Sequence, residues 1–533
     1  MIKQLVLIIL ALSFSIQIFA QDPAAQKYST QISTKHARKH LTILASDEFE
    51  GRETGKPGAD KAANYIAKEF KKLRLTPPVD GSYFQNIPLT ANSFEVKSFT
   101  INGTNLTYGK DFYFAGNPRK TNIKADNIVF IGYGIDSEAY SDIKNIDLTD
   151  KVVLLINQGE PTNNEVSAVT KTKQESEWST NLIKRIQYIL GKNPSLILAV
   201  RDDIASILER NSSYFKQSEG QLSLKTTNEE DLENSKLAPI VNIPISVANL
   251  FLKNSGKSYE SLKNTIDNTS IAQTQNVKVD FTSDFGISTK AVKAMNVLGF
   301  LEGSDLKEEV LVISAHYDHI GVNAEGADKI NNGADDDGSG TTAILEIAKA
   351  FAKAKKQGKG PRRSILFLSV SGEEKGLLGS EWYSENPIFP LKNTIADLNI
   401  DMIGRVDPEH ENNPNYCYLI GSDKLSSDLH KISENANAVY TKLNLDYKYN
   451  DPKDPNRFYY RSDHYNFAKH NIPIIFYFNG VHADYHQPSD EISKINFDLL
   501  VKRAQLTFFT GWDLANRNHR PVVDVKNDMP ADR

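Results

Sequence analysis

Five short patches of the chain carry side chains of the types that bind metal ions: H-Y-D-H at His316–His319, G-A-D-D-D-G-S-G at Gly333–Gly340, S-G-E-E at Ser371–Glu374, N-I-D-M at Asn399–Met402 and D-Y-H-Q-P-S-D at Asp484–Asp490. Imidazole nitrogens and carboxylate oxygens are a donor set that suits zinc. His316 can ligate through one ring nitrogen. Asp318, two residues on and on the same strand face, can fix the ring by accepting a hydrogen bond from the other. Asp335, Asp336 and Asp337 set three carboxylates side by side, a costly arrangement unless cations or solvent neutralise them. Glu373 and Glu374 are adjacent and point different ways, so one can hold a metal while the other faces its bound water. Taken singly, an H-x-D pair, an acidic loop, a Glu-Glu pair or a loop histidine is common on a solvated surface. Asp401 differs, because it closes an apolar strand, and aspartate is rarely buried without a partner.

Elements that could position these groups follow from the apolar pattern. Runs at Val310–Ala315, Ile365–Val370, Ile395–Ile400, Tyr416–Ile420 and Ile472–Phe478 read as buried strands. Between them Thr341–Ala354 is helical, with Ile344, Ile347, Ala348 and Phe351 on one face. Alternating strands and helices predict an α/β fold: an open, mostly parallel central sheet with helices on both faces. Ligands in such sheets bind beyond the carboxyl ends of the strands. The patches around His316, Glu373, Asp401 and His486 each fall just after a predicted strand.

Composition bounds the rest. The chain has 533 residues, 40% of them hydrophobic, enough for two or more cores. A net charge of −5 gives no basic footprint for nucleic acid. Residues 1–20 carry a lysine near the start, an apolar run and Phe19-Ala20 before Gln21, the pattern of a signal peptide for export to the periplasm or beyond the cell. The run is short for a membrane span, and no stable membrane anchor is expected. The single cysteine, Cys417, excludes an internal disulfide. Residues 21–121 are expected to begin the main domain, with helices around His36–Ser46 and after the Gly-rich turn at Glu50–Gly58. Residues 122–287, with short β-type runs, form a smaller β-rich insertion. Residues 288–520 complete the main domain and 521–533 form a tail.

The patches in this order, with L-A-S-D-E-F-E-G-R at Leu44–Arg52, N-V-L-G-F-L-E-G-S-D at Asn296–Asp305 and R-S-D-H-Y-N-F at Arg461–Phe467, resemble the co-catalytic zinc aminopeptidases, the family that also holds glutamate carboxypeptidase and the transferrin receptor. The insertion, with V-F-I-G-Y-G-I at Val129–Ile135 and D-L-T-D-K-V-V-L-L at Asp147–Leu155, resembles the protease-associated domain that many members carry. The resemblance implies two zinc ions, replaceable by other divalent metals in vitro. His316 and Asp401 would hold one, Glu374 and His486 the other, and Asp336 would bridge them, with a cis peptide to Asp337. It further implies Glu373 as general base to a hydroxide shared by the metals, Tyr485 as a donor to the tetrahedral state, and Arg461 as a contact to a substrate carbonyl or carboxylate. An ion pair between Arg461 and Asp463 is the structural alternative. The expected activity is removal of N-terminal residues from peptides with a free N-terminus. A carboxypeptidase or dipeptidase on the same site, which would want a basic cluster, is one alternative. A one-zinc cyclase and a non-catalytic receptor-like protein are others, and complete ligand positions speak against both. The preferred N-terminal residue and the oligomeric state stay open.

Overall fold

The computed structural model describes residues 21–116, 121–211, 220–225 and 238–529. The expected signal peptide at residues 1–20, and residues 212–219 and 226–237 of the expected insertion, lie outside the described residues. The chain divides into two compact units. One runs through Leu89 and resumes at Val292; the other is Thr90–Ala291.

In the first unit the strand Leu306–His316 lies between Arg363–Val370 and Thr394–Ile400 and is parallel to both; Thr394–Ile400 is in turn parallel to Ile474–Phe478. Antiparallel pairing enters at the margins, where Tyr416–Ile420 meets Ile474–Phe478 and residues 297–301 meet Arg363–Val370. Four strands therefore share one direction, and their carboxyl ends open on one edge of the sheet.

These strands are apolar at successive positions because both faces are covered. Leu311, Ile313, Ile365, Phe367 and Leu398 enter one core, with residues of the helices Thr34–Leu44, Pro57–Lys72, Gly338–Lys356 and Phe497–Asn516. Val310, Val312, Leu366, Leu368 and Val370 enter the other, with Tyr383 and Phe467. That alternation is the two-residue period of a strand. Each aliphatic side chain so buried contributes about 1.5–3 kcal/mol.

The helix expected from Thr341 starts at Gly338, because the Asp337 side chain caps it by accepting the Gly340 amide at 2.8 Å. Lys353, Lys355 and Lys356 in its last turn oppose the helix dipole. A Cβ on Gly340 would lie 2.5 Å from both the Asp337 Oδ1 and the Ile400 carbonyl oxygen. Glycine there lets the helix begin directly against the end of the neighbouring strand.

In the second unit residues 275–285 of the long strand Gln275–Leu301 pair antiparallel with Thr121–Phe130. Val152–Ile156, Leu196–Val200 and Ile240–Ile243 then follow in parallel. Helices Leu182–Leu190, Ile245–Leu252 and Tyr259–Thr269 accompany the strands. An aromatic cluster fills its core, with Phe99 4.1 Å from Phe112 and Phe114 4.4 Å from Phe285 between ring centroids. The unit thus takes in residues 90–121 as well as the expected 122–287, because Phe94, Phe99 and Phe112 pack into this core rather than that of the first unit. No helix among the described residues is long and apolar enough to cross a membrane.

Candidate active site

The shared strand direction delivers the patches to one place. His316 is the last residue of its strand. Glu373 and Glu374 follow the strand ending at Val370, Asp401 follows the one ending at Ile400, and His486 lies in the loop after Phe478. Asp336 sits just ahead of the helix that begins at Gly338.

Asp336 lies between the two histidines. Its Oδ1 is 3.3 Å from His316 Nε2 and its Oδ2 is 3.2 Å from His486 Nε2. Each histidine has a second carboxylate of its own: Asp401 Oδ1 is 3.6 Å from His316 Nε2, and Glu374 Oε2 is 3.1 Å from His486 Nε2. The peptide between Asp336 and Asp337 is cis. Both Nε2 atoms are buried and make no hydrogen bond. Buried polar atoms without partners, aimed at clustered carboxylates, are costly unless a cation lies between them. The donor set therefore fits metal ions.

The electrostatics point the same way. Burial works against the charge of Asp336, yet contact with His316 and His486 holds its carboxyl well below the usual range. Burial likewise pushes Glu373 well above the usual range, against the nearby His316 and helped by Glu374 and Asp401. Burial also raises Asp401. Glu373 is 3.9 Å from His316 Nε2.

The three consecutive aspartates have separate surroundings. Asp337 Oδ1 accepts the amides of Gly340 and Met402, tying the helix start to the Asp401 loop. Asp335 Oδ1 accepts the Gly404 amide at 2.6 Å, and its Oδ2 is 3.1 Å from His482 Nε2. Asp336 alone of the three has both oxygens turned to His316 and His486.

Asp318 departs from its expected geometry. The His316 Nδ1 meets the Asp318 backbone carbonyl at 3.0 Å, while the carboxylate is 3.7 Å away. The strand ends at His316, so the two-residue alternation no longer applies at Asp318. Its carboxylate instead accepts from Thr54 Oγ1 at 2.7 Å and from the Glu373 amide at 3.3 Å.

Residues 296–509 match the model of Peptidase family M28. These residues are an M28 peptidase domain. Among relatives, a probable leucine aminopeptidase of Arthroderma otae is 31% identical over 218 residues, 40% of this chain and 56% of that protein. A probable glutamate carboxypeptidase of Arabidopsis thaliana is 34% identical over 114 residues, 21% of this chain and 15% of that protein. The matches thus span less than two thirds of these relatives' length. Among solved structures, an aminopeptidase from Aneurinibacillus has a TM-score of 0.47 at 17% identity, covering 96% of this chain and 100% of that one.

Within the M28 domain Tyr485 stacks on His486, with ring centroids 3.9 Å apart and planes at 22°. Its hydroxyl accepts from Arg461 Nη2 at 3.2 Å. Both line a pocket with Asp336, Glu373 and Asp401, walled by Phe458, Phe476 and Phe478. Arg461 is exposed and lies over the Phe458 ring at 4.9 Å, whereas Asp463 is fully buried. Arg405 is held by Asp484 Oδ2 at 2.8 Å and lies 3.7 Å from Asp490 Oδ1.

His319 was not among the expected ligands. Its Nδ1 lies 2.7 Å from Glu374 Oε1 and 3.7 Å from Asp336 Oδ2, and His319, Asp336 and Glu374 form a group that could hold a metal ion. His316, Asp337 and Asp401 form another. Asp336 is the stronger candidate for the shared position, since one Asp337 oxygen already accepts two amides. The second histidine of H-Y-D-H is the signal that would have drawn attention to His319.

Proposed function

We propose that this chain is an exported zinc-dependent aminopeptidase that hydrolyses N-terminal residues from peptides. The observation that carries the reading is Asp336 between His316 and His486, each histidine with its own further carboxylate. In this reading His316 and Asp401 would hold one zinc, His486 and Glu374 would hold a second, and Asp336 would contribute to both. Zinc held there would polarise a substrate carbonyl and lower the pKa of water from about 15.7 to about 7.

The chain's own residues supply the rest. Glu373, partly buried beside His316, takes a proton from the attacking water and returns it to the leaving amine. Asp318, by accepting the Glu373 amide, keeps that side chain in place. The Tyr485 hydroxyl, oriented by Arg461, donates to the oxygen on which negative charge develops. The carboxylates crowded round the site attract a free α-ammonium group, which an acetylated peptide lacks. Export rests on the leader-like pattern of residues 1–20.

A carboxypeptidase needs a free cation for the substrate carboxylate. Arg405 is engaged by Asp484, which leaves Arg461 at the pocket and makes this the weaker reading. Purified, zinc-loaded protein incubated with free, N-acetylated and C-amidated peptides, with and without chelator, separates the two by mass spectrometry. The aminopeptidase reading expects stepwise N-terminal trimming of free and C-amidated peptides, blocked by acetylation and by chelator. Trimming from the C-terminus, or none at all, overturns it.

A further inference from the structure

Arg52 lies outside the matched M28 residues and is 1% exposed. Its guanidinium faces backbone carbonyls. Nε donates to Tyr317 O at 2.8 Å; Nη1 donates to Leu44 O at 2.8 Å and Asn332 O at 2.6 Å; Nη2 donates to Gly333 O at 2.9 Å and Asp336 O at 3.5 Å. Tyr317 follows His316 directly, while Asn332, Gly333 and Asp336 belong to the acidic loop. One planar fork therefore spans the strand end that carries one candidate ligand and the loop that carries the bridging one. The backbone of Arg52 joins in, because its carbonyl accepts the His319 amide at 3.3 Å. Glu50, Gly51 and Arg52 are all left-handed, at φ 50, 62 and 49°, a local turn that directs the side chain inward. Burying a guanidinium on neutral carbonyls is costly, and the acids of the site, Asp336, Asp337, Asp490 and Asp318, balance its charge through space.

We propose that Arg52 is a positioning residue of the metal centre, whose guanidinium fork sets the spacing of His316 and Asp336 before any metal binds. The inference rests on the metal-site reading above. Lysine keeps the charge but cannot reach several carbonyls at fixed angles, so it separates geometry from charge.

The test compares Arg52→Lys with Arg363→Lys. Arg363 is equally buried and also donates to carbonyls, Leu514 O at 3.0 Å and Arg517 O at 2.6 Å, but it begins its strand at the end away from the site. Zinc affinity is read by competition with a chromophoric chelator, and the stability of each metal-free protein by its melting temperature. Both variants are expected to melt earlier than the wild type. Only Arg52→Lys is expected to bind zinc more weakly, by about 10–100-fold, as when other groups that orient ligands are lost. Wild-type zinc affinity in Arg52→Lys, or an equal loss in Arg363→Lys, overturns the proposal. If Arg52→Lys does not fold, hydrogen exchange of the chelator-stripped wild type decides. Retained protection of the His319 amide, which the Arg52 carbonyl accepts, and of the Gly338 amide, bonded to the Gly333 carbonyl that Arg52 also holds, supports a preset loop; loss of that protection overturns it. A wild-type chain that binds no zinc would instead remove the metal reading itself.

Discussion

Asp490 Oδ2 accepts the backbone amides of both Asp335 and Asp336, at 3.0 and 3.1 Å. The last residue of one ligand patch thus holds the middle of another. Asp335 in turn reaches His482 and the Gly404 amide, so the loops that carry Asp336, Asp401 and His486 are cross-linked behind the candidate metal positions.

Asp490→Asn keeps the shape but removes the negative acceptor. Zinc affinity is expected to fall by about 10–100-fold, the usual effect of losing a group that supports a ligand. A zinc competition titration checks this, and an unchanged dissociation constant would make Asp490 a contributor to folding alone.

Asp318→Asn separates two roles. Because the Asp318 carbonyl, and not its carboxylate, is nearest the His316 ring, zinc binding should be largely kept. The carboxylate holds the Glu373 amide and Thr54, so kcat should fall while zinc content stays. Metal analysis beside steady-state kinetics decides. Loss of zinc with proportionate loss of activity would restore the carboxylate as the partner of His316.

How much of this was legible in the sequence follows from range. The patches around His316, Glu373, Asp401 and His486 could be expected at one place because each follows an apolar strand, and parallel strands bring their ends together; Asp336 instead stands just ahead of a helix, with no strand before it to place it. Asp318 was misplaced because a two-residue alternation was carried past the end of a strand. Residues 90–121 were assigned to the wrong core because the strand Phe84–Ile101 mixes polar and aromatic residues, and nothing local tells which unit Phe94 and Phe99 will fill. Arg52 closes the L-A-S-D-E-F-E-G-R motif, yet nothing local shows what its side chain holds, since its carbonyl partners come largely from a segment far along the chain. His319 lacked an apolar strand immediately before it.

Tyr485→Phe removes the hydroxyl that Arg461 orients and leaves the ring on His486. Turnover is expected to drop by about 10²–10³, the typical worth of one donor to a developing oxyanion, with zinc content unchanged. Wild-type kcat would make Tyr485 a packing residue.

His464 is expected to make the fold sensitive to acid. Burial pulls its imidazole down to about 3, despite the hydrogen bond from Nε2 to the Tyr459 carbonyl at 2.8 Å. The unfolded chain protonates this residue near its ordinary value of about 6.5. Between these values the unfolded state binds the extra proton. Stability is therefore intact above about pH 6.5 and falls as pH drops towards 3, by up to about 1.4 kcal/mol per unit. Urea unfolding of wild type and His464→Gln at several pH values tests the slope. The variant should lose less stability on acidification, and equal slopes would exclude His464 as the source.

Glu373→Gln isolates the proton transfer. Turnover should fall by about 10²–10⁴ while zinc is retained, and near-wild-type turnover would remove Glu373 as the base.

Asp336, between His316 and His486, is proposed to be shared by two metal ions. The most direct measurement is the zinc content of the wild type and of Asp336→Ala after zinc loading and dialysis against metal-free buffer. Two zinc ions per wild-type chain are expected, and loss of both in Asp336→Ala. One zinc per wild-type chain, or a variant that keeps both, would contradict it.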